Sequence, residues 1–75
     1  MVMPRGGTLS FINNDLPPHD VTAVDTGAGG APLFRSALAG IGEVVPVNGV
    51  DKLASGTYAF YCSIHPGMKG TLAVQ

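Results

Sequence analysis

Eleven glycines and six prolines interrupt the 75 residues from end to end. Proline removes an amide and fixes its own φ, and glycine costs a helix about 1 kcal/mol relative to alanine. Such punctuation breaks helices and suits short strands joined by turns, so the chain reads as all-β. Between the breaks lie five segments with strand-like alternation and β-branched or aromatic content: Thr8 to Ile12, Val21 to Val24, Glu43 to Val47, Thr57 to Cys62 and Thr71 to Val74. In the fourth, Tyr58, Phe60 and Cys62 share one face while Thr57, Ala59 and Tyr61 share the other. If the core takes the first set, Cys62 points inward at the end of a buried strand. Asp25 to Pro32 is a Gly-rich loop. At most one short helix is expected, near residues 34–39, ended by Gly40 and Gly42. No repeat or domain boundary is visible, so residues 1–75 form one domain.

A domain this small usually leans on a disulfide, a metal or a partner. Cys62 is the only cysteine, which excludes an internal disulfide. The formal net charge is −1, and Arg5, Arg35, Lys52 and Lys69 are scattered, so there is no footprint for nucleic acid or anionic lipid. The apolar stretches are too short to span a bilayer, and Met1 to Gly7 lacks the apolar core of a signal peptide.

Cys62, His65 and Met68 are three residues apart. On a helix that spacing would align them, but Pro66 and Gly67 fall between the last two, so the segment is a tight loop after a strand. There a thiolate, an imidazole and a thioether converge, a soft to intermediate donor set that suits copper far better than magnesium or calcium. His19 is the only other histidine, just after Leu16, Pro17 and Pro18. Adding it gives two imidazoles and one thiolate with a weak axial methionine, the donor set of blue-copper electron-transfer sites.

Taken singly, a cysteine is more often a buried filler, a histidine structural and a methionine core. A Cys, His, Met loop after an aromatic strand, with one further histidine upstream, seldom arises by chance. Zinc would also accept Cys and two His. Copper trafficking or storage is the alternative binding function, because thiolate and thioether suit Cu(I) as well. Asp25-Thr26-Gly27 is the tripeptide of aspartic proteases, a weak signal in a chain too short for their barrel and flap.

The run Gly56-Thr57-Tyr58-Ala59-Phe60-Tyr61-Cys62-Ser63-Ile64-His65-Pro66-Gly67-Met68-Lys69-Gly70-Thr71-Leu72-Ala73-Val74 resembles the C-terminal strand, ligand loop and final strand of the cupredoxins, plastocyanin-like and amicyanin-like. The short gap between His65 and Met68 is similar to the amicyanin loop. Upstream, Leu9-Ser10-Phe11-Ile12-Asn13-Asn14 and Pro18-His19-Asp20 are similar to the family's first-ligand segment.

The resemblance implies a Greek-key β-sandwich and one mononuclear copper ion cycling Cu(II)/Cu(I) by outer-sphere single-electron transfer, in a free carrier or as a module of a larger copper protein. With four donors placed, no open position for substrate is evident, so the domain is not expected to be an enzyme. His65 is expected at the surface, where redox partner proteins dock transiently on an apolar patch of Leu16, Pro17, Pro18, Ile64 and Pro66. Tyr58 is expected to tie a loop through its hydroxyl, in the manner of a tyrosine corner. By family analogy the location is periplasmic or extracellular.

Two departures stand out. The family usually begins with a further strand before the one that Met1 to Pro4 would occupy, so an edge is expected to lie open or to pair with another chain or domain. Asp20 stands where asparagine is common; it can still bond the Ser63 hydroxyl, and its charge favours Cu(II).

Overall fold

The computed structural model describes residues 1–75 and is almost entirely β. Seven strands form: β1 (Val2–Met3), β2 (Ser10–Ile12), β3 (Thr22–Ala23), β4 (Arg35–Ser36), β5 (Val44–Asn48), β6 (Gly56–Cys62) and β7 (His65–Val74). They join in the order β1-β7-β6-β3-β4-β5-β2, with every pairing antiparallel except β1 on β7. The long β6–β7 pair is the spine, in register from Gly56 opposite Val74 to Tyr61 opposite Lys69.

Alternation decides which faces are buried. Met3, Val21, Ala23, Phe34, Val47, Val50, Leu53, Leu72 and Val74 make one apolar cluster, with Leu9, Phe11, Leu33, Tyr58 and Phe60 packed against it. Phe11 on β2 and Leu72 on β7 come from opposite regions of the strand order, yet they serve the same core. The sheet therefore curls over on itself in the manner of a sandwich. Phe34 lies at the centre, meeting Tyr58 and Phe60 edge-on with ring centroids 6.4 and 6.5 Å away.

All five segments read as strands from alternation contain strands, and Tyr58, Phe60 and Cys62 do face inward. Residues 34–39, where a helical turn was the most expected, are instead extended. Phe34 and Ser36 are buried at strand period, and Ser36 Oγ accepts the Val21 amide at 2.9 Å. Ala39 then exchanges both backbone bonds with His19. Cross-chain pairing of this kind overrides a weak local helix preference. The two short 3₁₀ turns lie elsewhere, at Ala28–Gly30 and Val50–Lys52. Gly49 starts the second with φ 101°, against the Leu33 carbonyl, a position that only glycine fits without strain.

Candidate metal centre

His19 leaves a proline-rich loop and is clamped at once. Its amide donates to the Ala39 carbonyl at 3.1 Å, and its carbonyl accepts the Ala39 amide at 2.9 Å. With the backbone fixed at both ends, the imidazole is directed inward, and only 4% of the residue is exposed. Cys62, the last residue of β6, is 3% exposed. The two meet: Cys62 Sγ lies 3.6 Å from His19 Nδ1.

After Cys62 the chain turns through Ser63 and Ile64, and His65 pairs back with Cys62. The next cross-strand partners are Tyr61 and Lys69, so Pro66, Gly67 and Met68 bulge out of register. The segment is thus a turn and a bulge, as proline and glycine require, with no helical spacing involved. The ring centroids of His65 and His19 are 4.9 Å apart. His65 is exposed, and Met68 is 49% exposed. One cavity is lined by Phe11, Asn13, His19, Phe60, Cys62 and Met68 among others; His65 stands outside that lining. Counting only His, Cys, Asp and Glu, no group of three encloses a common point. The close pair is His19 and Cys62, with His65 and the Met68 thioether around it.

The electrostatics follow from the contacts. His19 Nε2 donates to Asp15 Oδ2 at 3.0 Å, and this bond, followed by contact with Cys62, raises the imidazole above its usual value. The same bond, aided by the Leu16 amide, holds the Asp15 carboxyl below the usual carboxylate range. Burial pushes the Cys62 thiol up, but the Asp20 amide 3.4 Å from Sγ, His19, and the amides of Ile64 and His65 outweigh it. Its net shift is downward, toward the thiolate a metal needs.

Asp20 ties the two stretches together. Its Oδ1 accepts the Ser63 amide at 2.8 Å and the Thr22 hydroxyl at 3.2 Å, and its Oδ2 accepts the Ser63 hydroxyl. The bond expected between Asp20 and Ser63 is present.

The family model of copper-binding proteins, plastocyanin/azurin family, matches residues 1–75. This chain belongs to that family. Solved structures agree. A reduced variant of amicyanin superposes with a TM-score of 0.78 at 27% identity, covering 100% of this chain and 68% of that one. An oxidised amicyanin variant gives 0.77 at 27% identity with the same coverage. A purple cupredoxin from Nitrosopumilus maritimus gives 0.78 at 28%, covering 100% of this chain and 76% of that one. The fold is therefore the cupredoxin fold, the cofactor is one mononuclear copper ion, and the general role is blue-copper electron transfer.

Within this cupredoxin, Leu16 is 81% exposed and Ile64 47%, and Pro17, Pro18 and Pro66 are exposed as well. Tyr58 Oη donates to the Ala54 carbonyl at 2.7 Å, the expected loop tie. Asp25-Thr26-Gly27 lies in the β3–β4 connection, closed by bonds from Gly27 to Ala31 and from Leu33 to Asp25. Sequence reasoning missed Asp15 and Asn13. Asn13 is buried, and its Nδ2 donates to the carbonyls of Pro17 and Ala39 at 3.0 and 2.8 Å. The available signal was a carboxylate four positions before a histidine in a Pro-rich loop. No helix is long and apolar enough to cross a membrane.

Proposed function

We propose that the copper ion would be held by His19, Cys62 and His65, with the Met68 thioether as a weaker fourth donor, in a single domain spanning residues 1–75. The observation that carries this reading is the 3.6 Å separation of His19 Nδ1 and Cys62 Sγ. Metal–sulfur and metal–nitrogen bonds of about 2.3 and 2.0 Å at a tetrahedral angle put two donors on one ion about 3.5 Å apart. The pair thus already stands at bridging distance, with the imidazole of His65 adjacent and the thioether of Met68 in the same cavity.

Bound copper supplies a Cu(II)/Cu(I) couple for outer-sphere transfer of single electrons. Burial of His19 and Cys62 keeps water from the inner side, and the clamped His19 backbone resists rearrangement between oxidation states. The exposed His65 offers partners their nearest approach. The exposed Leu16, Pro17, Pro18, Ile64 and Pro66 are the apolar residues we assign to weak, quickly released docking of redox proteins. With these donors engaged no position is left for substrate, so the domain carries electrons and is not an enzyme. Family membership favours a periplasmic or extracellular setting.

The edge strand β2 borders one apolar groove, with Met1, Leu9 and Phe11 beside Phe34, Phe60 and Leu72. The β2 edge is where a strand of another chain or domain pairs; purified protein that sediments as a monomer at all concentrations excludes a second copy there.

Addition of Cu(II) tests the copper assignment. An intense blue thiolate-to-copper band is expected, absent from Cys62→Ser. A colourless protein, or a coloured Cys62→Ser, overturns it. Slow release of Cu(I) to a competing chelator separates electron transfer from trafficking, for which release within seconds is expected.

A further inference from the structure

We infer that Asp15 is a positioning residue that fixes the ring of His19 and strengthens it as a donor. The inference rests on the reading of His19 as a ligand through Nδ1. An imidazole that gives one nitrogen to a metal must carry its proton on the other, and that N–H needs an acceptor to settle tautomer and ring angle. Here Nδ1 faces the Cys62 sulfur at 3.6 Å, and Nε2 faces Asp15 Oδ2 at 3.0 Å on the opposite side of the ring.

Asp15 is itself held. Its Oδ1 accepts the Leu16 amide at 2.9 Å, and its own amide donates to Asn13 Oδ1 at 2.9 Å. Asn13, 2% exposed, spends both Nδ2 hydrogens on the carbonyls of Pro17 and Ala39. Ala39 is the residue that clamps the His19 backbone. The bonds therefore close a circuit from His19 through Asp15, Asn13 and Ala39 back to His19, and a rotation of the imidazole would break it. Because the acceptor is an anion, it also pushes electron density onto the ring. A stronger donor favours Cu(II) over Cu(I) and lowers the reduction potential.

Three variants separate this role from simple loop shaping: Asp15→Ala, Asp15→Asn and Asp15→Glu. Measured by chelator competition, Asp15→Ala is expected to weaken Cu(II) and redox-silent Zn(II) about 10- to 100-fold. Its reduction potential rises, while the denaturant midpoint of the metal-free protein, compared at alkaline pH where the charged Asp15–His19 pair is gone, stays near the wild-type value. Asp15→Glu recovers most of the affinity and the lower potential. Asp15→Asn keeps an acceptor without the charge, so its potential rises although affinity falls less than in Asp15→Ala. Wild-type affinity and potential in Asp15→Ala, with a normal blue band, overturn the role of Asp15 and leave the ligand set standing. Loss of affinity that tracks an equal loss of metal-free stability, without recovery in Asp15→Glu, overturns it too. If the wild-type protein forms no blue band, the ligand assignment and this inference fall together.

Discussion

Gly70 lies across from Phe60 on the β6–β7 pair, so close that a methyl group on Gly70 would come within 2.5 Å of Phe60 Cζ and 2.8 Å of Cε1. The ring covers the strand where a side chain would otherwise stand, and it also lines the cavity that His19, Cys62 and Met68 share. Replacing Gly70 with alanine must displace the ring or the strand. The expected cost is about 1–3 kcal/mol, the usual penalty for overpacking. A denaturant midpoint equal to wild type would show that the ring yields freely.

Tyr58 is a second local test. Its hydroxyl ties the Ala54 carbonyl at 2.7 Å, while its ring packs on Phe34. Tyr58→Phe keeps the ring and removes the tie, so stability is expected to drop by about 1 kcal/mol. The blue band is expected to be unchanged, since neither residue touches the donors. Thermal unfolding and a visible spectrum of one sample check both halves.

Asp20 places its amide at the sulfur and its carboxylate on Ser63, the residue after Cys62. Asp20→Asn keeps the backbone N–H that points at Cys62 Sγ and an oxygen for the Ser63 amide, but it removes the anion that favours the higher oxidation state. A rise in reduction potential is expected, read by redox titration of the blue band. An unchanged potential would mean that solvent already screens this carboxylate, and a lowered one would overturn the charge argument.

The metal-free protein has a pH signature of its own. His19 is raised, so its contribution to stability is complete below the ordinary imidazole value and is lost as pH climbs through the raised one. Asp15 is lowered, so its contribution is complete above the ordinary carboxylate value and is lost as pH falls through the depressed one. The pair therefore contributes most in mild acid, between the two ordinary values. The gap in denaturant midpoint between wild type and Asp15→Ala is expected to be widest there and to close toward both extremes. A gap that is flat with pH would show that the pair does not titrate with folding.

Much of this was legible in the chain because the determinants are local. Alternation placed Tyr58, Phe60 and Cys62 on the inward face, and Pro66 with Gly67 forced a turn and bulge in place of a helix. What stayed hidden depends on distant partners. β4 exists because Arg35 and Ser36 find Asn48 and Val47, and nothing in the segment itself announces that pairing. The role of Asp15 appears only once His19 is turned inward and its Nε2 faces back toward the loop.

His19 and Cys62 stand 43 positions apart in a chain with no disulfide. An ion gripped by both acts as a removable cross-link, closing a long loop at an entropic cost that the folded state has already met. Resistance to heat then becomes a property of the solution as much as of the polypeptide. The melting temperature is then expected to climb with the logarithm of free copper, and a strong chelator to act as a mild denaturant.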